Sequence, residues 1–186
     1  MKKIIAFCVA ASILAAVHLS SACVGKTIHI GISGAASERL LAEIAALLIT
    51  ERTGSSVKVD AYKDSKELYN AVRLGNVNIL FENTGHALEV LGKQNGSGSA
   101  SKVDFVKSEY RKSLNLVWLE PMGGVQQYSS VLTVDTLSNY PALPKLLNKL
   151  SGALTNDAYT KLLKSVDSSD KTKKVAKDFL KSKKLI

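Results

Sequence analysis

Small polar side chains are concentrated in four turns of the chain, and these residues are the best placed to contact a ligand. The turns span residues 33–37, 62–65, 82–86 and 120–128. Hydroxyl and amide side chains donate and accept hydrogen bonds, and free amides at a helix start suit a carboxylate or another anion, although any one such turn could equally be an ordinary helix cap. The candidate contact residues are Ser33, Ser37, Asp64, Asn83, Thr84, His86, Gln126, Gln127 and Tyr128.

One acid–base pair stands out among these turns. Glu82 and His86 lie four residues apart near a predicted helix start, so their side chains could share one face. Such a pair can serve as a general acid and base, but it is more often a surface hydrogen bond. The sequence has no nucleophile elbow, phosphate-binding loop, HExxH or CxxC motif. We therefore expect binding without catalysis, and the few histidines and cysteines favour neither a metal nor a cofactor.

The composition is that of a folded globular domain. The chain has 186 residues, of which 46% are hydrophobic and 22% charged, and this excludes collagen, coiled-coil and disordered classes. The formal charge of +9 would suit nucleic acid or a membrane surface. Many lysines fall between Lys161 and Lys184, where they alternate with apolar residues at helical spacing. This pattern predicts an amphipathic helix pair with a solvated lysine face, or alternatively a patch for anionic lipid or an acidic partner.

The first 22 residues have the pattern of an export signal. Lys2 and Lys3 precede an apolar stretch of residues 4–17, which is too short to span a bilayer comfortably, and small residues lead to Cys23. The site resembles a bacterial lipoprotein signal, with Cys23 as the lipidated residue, although Leu19 lies one position earlier than usual and ordinary cleavage after Ala22 stays open. We expect an exported protein, at the outer face of a membrane or in the periplasm, without a nucleic-acid partner.

Strands and helices alternate along the remaining residues 23–186, which we interpret as a single domain. Apolar alternation predicts strands over 27–32, 56–62, 76–81, 115–119 and 128–134, and helical spacing predicts helices over 38–52, 65–74, 83–91 and 103–112 and beyond 134. Residues 92–101, rich in glycine and serine, predict a flexible loop. This order is typical of an α/β fold with a mostly parallel sheet and flanking helices. The four polar turns should then meet at one sheet edge, where ligands bind in such folds.

Four ordered segments of the chain resemble the substrate-binding proteins of glycine betaine, choline and related osmoprotectant ABC transporters. Residues 67–88 are similar to that family's run of a short helix, "G-x-I-D" and "E-Y-T-G-T-A-L", and residues 116–123 are similar to its "L-V-W-L-x-P-x-G". The other two segments are residues 28–33 with the helix after them, and residues 140–186. The resemblance implies one lobe of a type II periplasmic-binding fold, a small polar or zwitterionic solute, and an ABC transporter permease as partner.

The chain also departs from this family. Members normally have two lobes, whereas here the strands that lead to and from the second lobe are merged into residues 128–134. Quaternary ammonium groups bind aromatic faces, yet Asn83 replaces the family's tyrosine and His86 its second threonine. These departures predict an incomplete aromatic cage. They leave open an alternative function, an accessory or interaction module whose cleft face binds a protein partner or a second copy, as in a homodimer.

Overall fold

The computed structural model describes residues 27–93, 99–123, 127–166 and 169–186 of the chain. The predicted signal peptide of residues 1–22, the predicted lipidation site Cys23 and the predicted contact residue Gln126 lie outside these ranges. The described part is built around a single five-stranded sheet. The strands are β1 (Ile28–Ile32), β2 (Val57–Ala61), β3 (Ile79–Glu82), β4 (Leu116–Met122) and β5 (Tyr128–Thr133).

The sheet is mostly parallel, as the sequence predicts. Its strand order is β2-β1-β3-β5-β4. Strand β1 pairs in parallel with β2 and with β3, while β5 pairs antiparallel with β3 and with β4. Four strands therefore run in one direction, and β5 alone runs in the opposite one. Because β4 and β5 are adjacent in sequence and antiparallel, a turn joins them at the same sheet edge where β1, β2 and β3 end.

Helices cover both faces of the sheet. They are α1 (Ala36–Thr53), α2 (Ser65–Arg73), α3 (Thr84–Val90), α4 (Ser99–Leu114), α5 (Val134–Asn139), α6 (Leu143–Ala153), α7 (Asn156–Lys164) and α8 (Ser169–Ser182). One core contains α1, α6 and α8 with Ile79 and Phe81 of β3, and the other contains α2, α3 and α4 with Leu80. This split follows from strand geometry, since successive side chains point to opposite faces.

Close packing on the second face explains a glycine inside a strand. A Cβ atom on Gly31 of β1 would lie 2.4 Å from Leu68 Cδ1 of α2 and 3.0 Å from both methyl carbons of Val77. A side chain at this position would force the Leu68 and Val77 side chains, which pack over β1, to shift. The glycine therefore allows α2 to lie close to β1, which brings the start of α2 to the edge where the strands end.

Three predicted boundaries need correction. Helix α4 begins at Ser99, so the last three residues of the predicted loop 92–101 are helical. Strand β4 continues through Glu120 and Pro121 to Met122, residues that we predicted as turn. The register between β4 and β5 shifts between Trp118 and Pro121, and this irregularity accommodates a proline that cannot donate a ladder hydrogen bond. Strand β3 begins only at Ile79, later than the predicted residue 76.

Candidate functional site

The polar turns meet at one edge of the sheet, as predicted. The first three follow β1, β2 and β3, which run in parallel, and the fourth lies between β4 and β5. Glu82, the last residue of β3, pairs with Ser129 of β5, so the turn that begins at Asn83 starts next to the first residues of β5. We name this surface the rim and define it by residues 33–37, 62–65, 82–86 and the described ends of the β4–β5 turn, residues 123 and 127–128.

A hydrogen bond joins the two parts of the rim that lie on either side of β3. The Ser37 hydroxyl lies 3.2 Å from the Tyr128 hydroxyl, although the residues are 91 positions apart. Tyr159, near the start of α7, lies in the same group: burial raises its pKa to about 12, Tyr128 adds to the rise, and the Ser37 hydroxyl opposes it. The Tyr159 hydroxyl is buried and makes no hydrogen bond of good geometry within the described ranges. Ser37, Tyr128 and Tyr159 form a compact hydroxyl cluster.

The turn after β1 is held by a carboxylate. Glu38 accepts a hydrogen bond from the Ser33 amide at 2.7 Å, and the Ser33 hydroxyl lies 2.9 and 3.0 Å from its two oxygens. Helix α1 follows directly, and its N-cap residue Ala35 provides no side-chain hydrogen bond to the first turn. The first-turn amides of α1 therefore lack the side-chain acceptor that a serine or aspartate cap would supply.

Two of the predicted contact residues cap helices. Asp64 Oδ1 accepts from the Glu67 amide at 2.8 Å and caps α2, and Glu67 accepts from the amide of Lys63, the residue before the cap. Asn83 Oδ1 accepts from the His86 amide at 3.0 Å and caps α3. The side chain of Asp64 is exposed and caps α2. The alternative prediction, that this turn is an ordinary helix cap, therefore describes Asp64 well.

His86 connects the rim to a buried carboxylate. Its Nδ1 atom lies 2.8 and 2.9 Å from the two oxygens of Glu82, and its Nε2 atom lies 2.8 Å from the Ser65 hydroxyl. The hydrogen bond with Glu82 raises the pKa of His86, while burial partly opposes the rise and the more distant Glu38 and Glu89 add to it.

A chain of tyrosines extends this network into the core. The Tyr69 hydroxyl donates to Glu82 Oε2 at 2.6 Å, and the Tyr110 hydroxyl lies 2.6 Å from the Tyr69 oxygen. Because Tyr69 has a single proton, Tyr110 is the donor in the second bond. Burial raises the pKa of both tyrosines, and the Glu82 carboxylate adds to the rise. Tyr110 also packs edge-on against Tyr69 and Trp118.

The structure thus brings together most of the predicted contact residues. Thr84 begins α3 and is half-buried, and Gln127 is exposed with a left-handed backbone, φ 47°. Trp118 is a core residue, as predicted, with 8% of its surface exposed. Within the described ranges, no three histidine, cysteine, aspartate or glutamate side chains lie close enough to hold a metal ion.

Sequence reasoning missed Tyr159, Ser65 and the buried role of Glu82. The signal for Tyr159 is the glycine at position 123, because a Cβ atom on Gly123 would lie only 2.7 Å from Tyr159 Cβ. For Ser65 the only signal is its place directly after the capping residue Asp64. Ser65 and His86 are 21 positions apart, so the linear sequence gives no sign of their contact.

The model of one protein family matches most of the chain. That family is described as the substrate-binding domain of the ABC-type glycine betaine transport system, and it matches residues 26–133 and 112–182. The chain therefore belongs to this family. Family membership supports the prediction that the domain binds a solute rather than converting it, and that the protein acts outside the cytoplasm. None of the curated proteins compared with the chain matches it.

Solved structures of low sequence identity share the fold. A crystal structure of a glycine betaine/carnitine/choline ABC transporter has a TM-score of 0.73 at 12% identity, covering 86% of this chain and 98% of that chain. Apo YehZ from Escherichia coli has a TM-score of 0.76 at 13% identity, covering 87% and 100%. An ABC-transporter choline-binding protein in complex with choline has a TM-score of 0.52 at 11% identity, covering 85% and 89%. These likenesses confirm the predicted periplasmic-binding fold.

None of the helices in the described ranges is both long and apolar enough to cross a bilayer. The predicted lysine-rich pair is present as α7 and α8, in which Tyr159, Ala176, Phe179 and Leu180 are buried while the described lysines are exposed.

Proposed function

We propose that the rim binds a small zwitterionic or quaternary-amine solute, without chemistry, and that the chain presents it to an ABC transporter permease. The observation that carries this proposal is the hydrogen bond between Ser37 and Tyr128, which joins the turn after β1 to the start of β5 on either side of Asn83. Three parts of the sequence thereby share one surface at the carboxyl ends of parallel strands, where α/β proteins bind ligands.

The charges at the rim suit a zwitterion. Glu38 is half-buried and contacts Ser33, so it places a negative charge at the rim that would attract an ammonium group. The first turn of α1 has no side-chain cap, so its amides would favour a carboxylate. Tyr128 and Tyr159 are 6% and 5% exposed, so neither offers an open aromatic face to the solute, which would instead meet hydrogen-bonding groups of the rim.

Titration calorimetry of the purified protein with glycine betaine, choline, carnitine and proline tests this proposal. We expect saturable heat with at least one of them and a loss of about tenfold in affinity for Tyr128→Phe, corresponding to one hydrogen bond of about 1.4 kcal/mol. Tyr140→Phe is the matched control, since Tyr140 follows α5, which begins at the opposite edge of the sheet. The absence of heat with all four solutes at millimolar concentration would disprove solute binding at the rim.

We further propose that the protein is exported and anchored through a lipid on Cys23. The family is extracytoplasmic, and the sequence before Cys23 has the pattern of an export signal. Intact-mass analysis of the protein purified from a bacterial membrane would show a diacylglycerol adduct, and Cys23→Ser would release the protein from the membrane fraction.

The mass in solution of the same material would reveal a homodimer, in which a second copy takes the place of the second lobe.

A further inference from the structure

The contacts of His86 have a geometry that solute binding does not require. Ser65 Oγ lies 2.8 Å from His86 Nε2, and Glu82 lies 2.8 Å from His86 Nδ1 on the other side of the ring. A hydroxyl, an imidazole and a carboxylate in this order are the three parts of an activated serine: nucleophile, base, and the acid that orients the base. The three residues come from α2, α3 and β3.

We propose that Ser65 is a nucleophilic serine, activated by His86 and Glu82, and that small carboxylic esters acylate it in the pocket between α2 and α3. This reactivity is separate from solute binding by the hydroxyl cluster.

The supporting carboxylate is unusually well fixed. The side chain of Glu82 is 3% exposed, and it accepts hydrogen bonds from the Tyr69 hydroxyl and from the Asn83 amide in addition to its contact with His86. These bonds hold the carboxylate in one orientation and hold the imidazole against it. Glu82 acts through His86 and is therefore a positioning residue, whereas Ser65 and His86 would touch the ester.

A pocket is lined by both Ser65 and His86. It has a volume of about 380 Å³ and is lined by Ser65, Lys66, Tyr69, Arg73, His86, Glu89 and Val90. This volume is large enough for a short-chain ester. Two of its three permanently charged residues are cationic, so we expect a preference for esters with an anionic tail over those with a cationic tail.

Acylation of Ser65 and hydrolysis of the acyl-serine require no co-reactant besides water. Ser65 Oγ attacks the carbonyl carbon of the ester while its proton moves to His86 Nε2. The bond from that carbon to the alkoxy oxygen then breaks, and His86 returns the proton to the leaving alcohol. Water attacks the acyl-serine in the same way, and the products are a carboxylic acid and free Ser65. The Ser65 and Lys66 amides, in the first turn of α2, have no hydrogen-bond acceptor in the described ranges and lie beside the nucleophile, where negative charge develops.

The test uses the purified protein with a fluorophosphonate probe and with p-nitrophenyl acetate. We expect a phosphonyl adduct on the peptide that contains Ser65 and a burst of p-nitrophenol of about one equivalent. Ser65→Ala should abolish both, and His86→Gln should slow adduct formation by at least about 100-fold. The matched control is Ser138→Ala, because Ser138 is an exposed helical serine that donates only to the Val134 carbonyl. Adduct formation at Ser65 that is equally fast in His86→Gln, or no adduct at Ser65 at all, would refute the proposal.

Circular dichroism of Ser65→Ala and His86→Gln establishes that these variants fold.

The pH profile of adduct formation distinguishes a positioning role of Glu82 from simple structural support. The charged groups around His86 are Glu82, Glu38 and Glu89, with Lys66 and Arg73 in the pocket, and Glu82 is the largest influence. Glu82→Gln should therefore move the midpoint of the profile to lower pH. An unchanged midpoint in a folded Glu82→Gln protein would refute the role of Glu82.

Discussion

The molecule contains two histidine–carboxylate pairs of similar length in different surroundings. His86 lies 2.8 Å from Glu82 at the rim, and His29 lies 2.6 Å from Asp60 where β1 meets the edge strand β2. The histidine side chains are similarly exposed, at 30% and 35%, but the acids differ, with 3% of Glu82 and 20% of Asp60 exposed. The surroundings of the acid, rather than the distance, separate the two pairs.

The partners of each acid explain the difference. Glu82 accepts from Tyr69 and from a backbone amide, and its network continues to Tyr110 and Ser65. Among the described residues, the side-chain partners of Asp60 are His29 and the exposed Lys58, whose Nζ atom lies 3.2 Å away. Burial alone would raise the pKa of Asp60, but the hydrogen bonds from His29 and Lys58 outweigh it, so this pKa lies below its usual value. The acid of the first pair is part of the packed core, whereas water competes for the acid of the second pair.

Removing the acid from each pair should produce the largest contrast. Glu82→Ala leaves the buried Tyr69 hydroxyl and the Asn83 amide without their acceptor, and we expect a loss of about 3 kcal/mol in the free energy of unfolding. Asp60→Ala breaks a partly exposed pair, and we expect a loss within about 1 kcal/mol. Urea unfolding of both variants measures these losses. Equal losses would show that burial of the acid does not determine the strength of the pair.

Removing a single hydroxyl near each acid should have a smaller effect. Tyr69→Phe takes a donor from Glu82 and an acceptor from Tyr110, and since both groups are buried we expect a loss of roughly 1–3 kcal/mol. Tyr62→Phe is the matched variant beside Asp60, where Tyr62 is half-buried and burial raises its pKa, with Asp60 and Glu67 adding to the rise. We expect its unfolding free energy to change by less than about 0.5 kcal/mol. A loss for Tyr62→Phe as large as that for Tyr69→Phe would contradict the comparison.

The sequence predicts the fold better than it predicts the site, because periodicity is local while contacts are not. Alternation in residues 28–32 and helical spacing in residues 38–52 define β1 and α1, and glycine at position 54 ends that helix with a left-handed backbone, φ 70°. The Glu82–His86 contact is also predictable from local sequence, because residues four positions apart face each other at a helix start. Parallel strands then place the turns at one edge by topology alone.

Tertiary contacts account for what the sequence could not predict. The approach of Ser65 to His86 depends on how α2 and α3 pack on the sheet, and the approach of Tyr159 to Tyr128 depends on a helix that follows β5 by more than twenty residues. The antiparallel direction of β5 arises from the short turn after β4, which leaves no room for a helical crossover. From the sequence we predict Glu82 to be a surface acid. It is buried in the structure because α2 and α4 contribute tyrosines around it.

The smallest and most specific contrast between the two pairs lies in their response to pH. The raised pKa of His86 means that this group contributes stability fully below its unfolded value of 6.5 and loses it as pH rises through its folded value. The lowered pKa of Asp60 has the opposite sign: its contribution is present above 3.8 and is lost as pH falls through the folded value. The two pairs therefore weaken at opposite ends of the pH range.

Two substitutions separate these responses. The difference in unfolding free energy between the unsubstituted protein and His86→Gln should be larger at pH 5.5 than at pH 9, and the difference for Asp60→Asn should be larger at pH 6 than at pH 2.5. Both changes should be smaller than the loss in Glu82→Ala, because each histidine is partly exposed and water screens its charge. Urea unfolding at these pH values measures them, and NMR titration of the imidazole protons in each variant assigns the transitions. A difference for His86→Gln that grows with pH would mean that His86 is stabilised as the neutral form, and the Glu82 carboxylate would then not be the dominant influence on it.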